Sequence, residues 1–191
     1  KIFSGAGRVK IMRLFLFNND QSFDISEVTE RSKVGSGEVR RELELLQIAG
    51  LIKKRVFHRE IKKKKTTVYF ADLSFPYLEE LKNLLINTVL LKNEEIVKRL
   101  SRVGKIKLII ISGVFLGRDD SRVDLLVVGD MMRKGSLVSV IKTMESEIGK
   151  EIRYVMLTTE EFRYRFGIYD KLIRDILDFS HHKVIDKIGV V

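Results

Sequence analysis

Cysteine is absent from the 191 residues and proline occurs once. Without thiols there is no disulfide framework and no thiolate metal site, although that absence points only weakly to a reducing compartment. Long apolar runs are missing too. The strongest, around 108–116 and 125–128, fall well short of the roughly 20 residues a membrane helix needs, so no span is expected. The chain opens Lys1-Ile-Phe-Ser-Gly5 with neither Met nor a signal-like apolar region, and a cytoplasmic protein is the expectation. What is present, 45% apolar and 32% charged residues, suffices for one large core or two small ones, and two domains fit.

Positive charge is unevenly placed. Of the formal net charge of +10, residues 1–75 hold 16 Lys and Arg against 9 Asp and Glu, net +7, while residues 76–191 hold 20 against 17, net +3. A polyanion-binding module joined to a near-neutral domain has this asymmetry.

From Gly5 to Phe17 the apolar residues Val9, Met12, Phe15 and Leu16 recur at helical spacing, and Asn18-Asn-Asp20 stops the pattern. Asp24-Ile-Ser-Glu27 has the form of a capping box that opens a short second helix through Arg31. After a turn at Ser32-Lys-Val-Gly35, Ser36 is placed to cap a third helix that buries Val39, Leu43 and Leu46 and ends before Gly50. Its polar face presents Ser36, Gly37, Arg40, Arg41 and Glu44. The period then changes to two strands, 51–57 and 66–71, joined by His58-Arg-Glu-Ile-Lys-Lys-Lys-Lys65. Eight basic residues, Lys53, Lys54, Arg55, Arg59, Lys62, Lys63, Lys64 and Lys65, stand there against the single acid Glu60. Lysine on an edge strand can serve only to discourage aggregation; a run of four exceeds that need, and phosphate contact accounts for it better. Arg40 and Arg41 stay open between base reading and pairing with Glu38 or Glu44 one turn away.

Three helices followed by a hairpin resemble the winged-helix transcription regulators, particularly the ArsR-like group, in which EVRRELELLQIAGLIKK (38–54) looks like the recognition helix leading into the wing. The resemblance covers about residues 5–75 and implies a third helix in the major groove with wing contacts to the neighbouring backbone. Ser74-Phe-Pro76 then breaks the strand pattern, and Pro76 suits the first turn of a helix running through Leu78, Leu81, Leu85 and Val89. Such a leucine-rich face packs within its own chain or pairs with a second copy. Pairing is the expectation, giving a homodimer with two recognition helices on a palindromic site. Asn93-Glu-Glu-Ile96 is placed to cap a further helix reaching about Ser101.

Lys107-Leu-Ile-Ile-Ile-Ser112 reads as a buried strand and Arg122-Val-Asp-Leu-Leu-Val-Val128 as its neighbour. A helix at 137–148, a strand at 152–157 and a helix start at Thr158-Thr-Glu-Glu161 follow. This order, over about 95–191, resembles the minimal nucleotidyltransferase fold, and members with an N-terminal winged helix resemble the chain throughout, including EEFRYRFGIYDKLIRDIL (160–177). In that family the stretch matching Ile111-Ser-Gly-Val-Phe-Leu-Gly117 reads Gly-Ser, and the one matching Ser121-Arg-Val-Asp124 reads Asp-x-Asp. Carboxylates one residue apart on a strand face the same side and can share metal ions. Here Val114 follows Gly113, Arg122 and Asp124 stand at the carboxylate pair, and Arg153 falls at the third carboxylate. Arginine ligates no Mg²⁺, and its permanent charge repels the ion. The resemblance therefore implies a domain that kept the fold and lost the reaction, with Asp124 flanked by Arg122 and Arg153 in a buried ion-pair cluster. No catalytic residue, metal or cofactor is expected.

Other acidic and metal-binding signals are weak. Asp119 and Asp120 lie in a turn that favours aspartate for local hydrogen bonding. His181 and His182 lack a spaced third ligand and read as a polar turn before Val184. Gly113 and Gly117 are not followed by the Lys and Ser or Thr of a phosphate-binding loop. The expected fold class is α+β: a winged-helix domain (1–75), a linker and dimerisation helix (76–94) and a degenerate nucleotidyltransferase-like α/β domain (95–191). The expected function is transcription regulation with double-stranded DNA as partner, the second domain serving dimerisation, sensing of a nucleotide-like effector or binding of an unknown protein. Two alternatives stay open: an active nucleotidyltransferase with a rearranged site, and an antitoxin-like interaction protein.

Overall fold

The computed structural model describes residues 5–59, 64–86, 91–118 and 121–189, with backbone alone at 57–59 and 64–65. Among these residues helix and strand are mixed, with eight α-helices, one 3-10 turn and two small sheets. They group into two units, Lys1–Val89 with Lys142–Lys150 and Leu90–Ile141 with Glu151–Val191. None of these helices is long and apolar enough to cross a membrane.

In the first unit α1 (Ala6–Phe17) leads to β1 (Ser22–Asp24), α2 (Ile25–Ser32), α3 (Ser36–Ile48), and a hairpin of β2 (Ile52–Arg59) and β3 (Lys64–Ala71). α2 begins where the sequence predicts because its capping box forms: Glu27 N–H donates to Asp24 Oδ1 at 2.9 Å and Asp24 N–H to Glu27 Oε2 at 2.7 Å. α3 departs from expectation. Its N-cap is Gly35, and Ser36 is the first helical residue, with no side-chain cap. The sheet order is β1-β3-β2, antiparallel throughout. β1 escapes sequence reading because three residues carry too little alternation to signal a strand. One core joins the helices to the sheet, with Ile11, Phe15, Val39, Leu43 and Ile52 among its buried members. The rings of Phe15 and Phe23 meet edge to face, 5.7 Å between centroids.

α4 (Leu78–Ile86) completes this core. Leu78 and Leu85 are buried in it, Leu85 at 4% exposure, and Leu81 packs partly buried against it. Leu78 and Leu85 of this helix are thus covered by the unit's own core, with α1 as its main neighbour, while Leu84 is 49% exposed and Val89 lies outside the described residues. Residues 142–150 also belong here, although the sequence reading places them in the second domain. Arg13 of α1 donates from Nε to the Leu85 carbonyl at 3.0 Å and from Nη1 to the Glu147 carbonyl at 2.8 Å. Asn18 Nδ2 donates to the carbonyls of Leu14 at 2.7 Å and Gly149 at 2.8 Å. These bonds satisfy carbonyls that helix ends leave without partners. Gly149 has φ +89°, and a Cβ there would sit 2.6 Å from the Arg13 carbonyl carbon, so no larger residue fits.

In the second unit α5 (Asn93–Leu100) precedes β4 (Lys105–Ser112), a 3-10 turn (Gly113–Leu116), β5 (Leu125–Asp130) and the start of α6 (Lys134–Ile148). Then follow β6 (Tyr154–Leu157), α7 (Thr159–Gly167), α8 (Lys171–Asp178) and β7 (His181–Asp186). The sheet order is β6-β5-β4-β7, with β4 antiparallel to β5 and β7, and β5 parallel to β6. β4 and β5 read as continuous apolar runs because both faces are covered. Leu108 and Ile110 share a core with Phe162 of α7 and Ile173 of α8, while Ile109 and Val127, on the other face, are equally buried. Thr158 and Glu161 form a second capping box, as the sequence predicts. Two expectations fail. Lys92, not Asn93, is the N-cap of α5, and Asn93 Nδ2 instead lies 2.9 Å from His182 Nε2. His181 and His182 belong to edge strand β7, whose half-covered residues give no clear strand period.

Because Leu85 lies in the first unit's core, Leu85→Ala is expected to cost about 2–5 kcal/mol in chemical denaturation. The exposed Ile48, changed to Ala, is expected to stay within about 0.5 kcal/mol. An unchanged denaturation midpoint in the Leu85→Ala protein would return α4 to the role of an uncovered helix.

Candidate functional site

α3 sorts its charges by face. Glu42 turns to α1, where Arg8 Nε donates to it at 2.6 Å, and Glu38 leans on Gly7, its Oε1 filling the space a side chain there would need. Ser36, Gly37, Arg40, Arg41 and Glu44 are left exposed. Neither Arg40 nor Arg41 has a hydrogen-bond or ion-pair partner among the described residues. Pairing with Glu38 or Glu44 does not occur, and both guanidiniums are open to solvent.

β2 divides its basic residues by strand alternation. Lys53 lies opposite Phe70 and Arg55 opposite Val68 on one face, whereas Lys54 shares the other face with Ile52, which is buried in the core. Lys53 Nζ is 2.8 Å from Asp72 Oδ2. That bond, ahead of those from Ser74, holds the Asp72 carboxyl down at about 2. Arg55 lies over the Phe70 ring, 5.6 Å from its centroid. Both line a cleft of about 430 Å³ with Asn19, Gln21 and Asp72. The predicted basic set is therefore not one surface. Lys54 is exposed on the core-facing side of the sheet, and Lys53 and Arg55 are engaged on the outer side. Arg59 ends β2 opposite Lys64 of β3, with Lys65 next in register, while Lys62 and Lys63 lie outside the described residues.

The second site is built around Asp124, which is 1% exposed. Its position is fixed by the backbone: Asp124 N–H donates to the Arg153 carbonyl at 2.7 Å, and its own carbonyl accepts from Ser112 N–H at 2.9 Å. Four donors reach the carboxylate. Oδ1 accepts from Val114 N–H and Arg153 Nη2, both at 3.0 Å, and Oδ2 from Arg153 N–H and Nε, both at 2.9 Å. Gly113 makes this possible. It adopts φ +51°, and a Cβ there would lie 1.9 Å from Asp124 Oδ1. A buried carboxylate held by a bidentate guanidinium and two backbone N–H groups is fully compensated, and its roughly four lone-pair sites are all used. Arg153 is 47% exposed, so the fork closes the carboxylate off from solvent.

Arg122 does not join this pair. The residues at 121–124 run irregularly ahead of β5, so Arg122 and Asp124 are not strand neighbours on one face. Arg122 Nη1 instead contacts Asp175 Oδ2 of α8 at 3.0 Å, an ion pair without hydrogen-bond alignment. The expected cluster of one aspartate between two arginines is corrected to two separate neutral pairs. Asp175 was missed because its partnership depends on where α8 packs, which no local pattern announces. Arg118 was likewise missed; its Nη1 donates to Ser180 Oγ at 2.6 Å. At the far end of β5, Asp130 is held below the usual carboxylate range by Lys107 and then by Thr159.

Asp124 as held offers no free oxygen lone pair to a divalent cation, so these residues do not fit the metal that active nucleotidyltransferases use. Among the described residues no group of three or more His, Cys, Asp or Glu could hold a metal ion. Asp119 and Asp120 lie outside those residues.

Asp124→Ala would strand two backbone N–H groups and a guanidinium, and is expected to cost about 3–5 kcal/mol in thermal denaturation. Gly113→Ala is expected to be tolerated worse than Gly37→Ala, where a Cβ meets open space. A normal melting temperature in the Asp124→Ala protein would contradict this arrangement. Compared with protein-family models, with curated proteins and with solved structures, the chain finds no match.

Proposed function

We propose that this chain is a sequence-specific, winged-helix transcription regulator that binds double-stranded DNA. Its second unit is read as a nucleotidyltransferase-like domain without the transfer reaction, serving dimerisation, sensing or partner binding. The observation that carries the reading is the pair Arg40 and Arg41 on the exposed face of α3, neither of which has an ion-pair partner among the described residues although Glu38 and Glu44 are exposed on the same helix. An α-helix fits the major groove, about 12 Å wide, and arginine there can bond bidentately to guanine. Lys54 and the basic β2–β3 hairpin are suited to the flanking phosphates. The order of three helices and a hairpin, closed by β1, supports the winged-helix part.

Support for the second part comes from the order strand, turn, strand, helix, strand and from the carboxylate at Asp124. Metal-assisted nucleotidyl transfer uses cations to orient a triphosphate and neutralise its charge. A carboxylate whose acceptor sites are taken by Arg153 and two backbone groups has none left for that task.

Duplex affinity is expected to fall with salt with a slope of about −4 to −9, corresponding to about 5–10 neutralised phosphates in a dimer. Replacing the lysines at 62–65 with Ala weakens binding to all duplexes alike. Arg40→Ala or Arg41→Ala costs about 1–3 kcal/mol, mainly on the preferred sequence. Lys53→Ala, which removes a residue already paired with Asp72, lowers affinity less than Lys54→Ala. Fluorescence anisotropy across a salt series checks these effects, and salt-independent binding would contradict the proposal.

A further inference from the structure

α3 carries more apolar surface than its core uses. Its buried residues are Val39, Leu43 and Leu46, yet Leu45 is 46% and Ile48 78% exposed. The two are not scattered. Arg41, Leu45 and Ile48 stand at i, i+4 and i+7, a spacing that puts them on one stripe of the helix, and Gly37 and Glu44 fall on the same side. Gly37 has neither a positive φ nor any atom within 4 Å that a Cβ would meet, so packing does not require glycine there. Glycine within a helix is destabilising relative to alanine, and what it offers in return is close approach of the backbone to another surface.

This side of α3 therefore combines a cation, an acid, two apolar side chains and a stretch of bare backbone. A face that only tracks phosphates has no use for Glu44, which repels them, or for Leu45 and Ile48, which attract no charge. The base edges in the major groove answer each of these groups. Guanine offers acceptors to an arginine, cytosine offers its amino group to a glutamate, and the one apolar group displayed there is the C5-methyl of thymine. We infer that Leu45 and Ile48 read thymine, seating against its methyl group beside the base that Arg41 bonds. The inference rests on the DNA-binding reading and names what that face selects. With a rise of 1.5 Å per residue, Leu45 lies about 6 Å along the helix from Arg41, and stacked bases are about 3.4 Å apart. The two side chains thus fall within about two base-pair steps of each other.

The full chain and the duplex it selects test this. Each thymine of the motif, on either strand, is replaced in turn by uracil, which keeps the base pair and removes only the methyl. Fluorescence anisotropy should show wild-type affinity falling about three- to fivefold at one or two positions. L45A/I48A should bind the thymine and uracil forms alike, both about as weakly as the wild type binds the uracil form, while keeping the guanine preference assigned to Arg41. Circular dichroism melting shows that the variant folds. A selected motif without thymine would overturn the inference. So would a wild type indifferent to uracil at every position, or a uracil penalty that survives in L45A/I48A; either result leaves the DNA reading standing and turns the apolar pair over to a protein contact. A chain that selects no motif removes the DNA reading and this inference together, so the two failures are told apart.

Discussion

A carboxylate buried to 1% exposure must be compensated where it stands, and Asp124 sets the terms for everything around it. The first residue of the 3-10 turn must be glycine, since a Cβ would strike Oδ1. The turn must deliver the Val114 N–H, and the approach to β6 must deliver both the backbone and the fork of Arg153. The same interactions that make the carboxylate tolerable leave it no free acceptor. The acceptor sites of Asp124 are filled by a guanidinium and two backbone N–H groups of the chain itself.

In the first unit the comparable constraint acts on surface charge. Glu42 is drawn to Arg8 of α1, and Glu38 leans on Gly7 while staying exposed; with Glu44 exposed too, Arg40 and Arg41 remain without an ion-pair partner among the described residues. On β2 the two-residue period does the opposite to the basic run, drawing Lys53 to Asp72 and Arg55 over Phe70 while leaving Lys54 exposed. A count of lysines overstates what one surface can offer to a polyanion.

Features written in a few adjacent residues were legible in the sequence. Both capping boxes, Asp24 with Glu27 and Thr158 with Glu161, form as read, because donor, acceptor and spacing are local. The apolar runs of β4 and β5 announced a strand pair buried on both faces, and Asp124 with Arg153 was expected to pair. What failed depended on partners distant in sequence. The leucines of α4 announced a buried face but not its cover, which proved to be the chain's own core. Arg122 was assigned to Asp124 on the premise that β5 begins early; with residues 121–124 irregular, its side chain reaches Asp175. β1 and β7 are short or half covered, and residues 142–150 join the first unit through carbonyls that accept from Arg13 and Asn18. No periodicity encodes those contacts.

The central claim is that the free arginines of α3 read a particular DNA sequence. Selection from a random duplex library by the full chain, followed by sequencing of the bound fraction, tests it most directly. The account predicts enrichment of one motif, lost when Arg40 and Arg41 are both changed to alanine while weak, salt-sensitive binding to any duplex persists. A bound fraction with no enriched sequence, or the same motif recovered by the double variant, would contradict it.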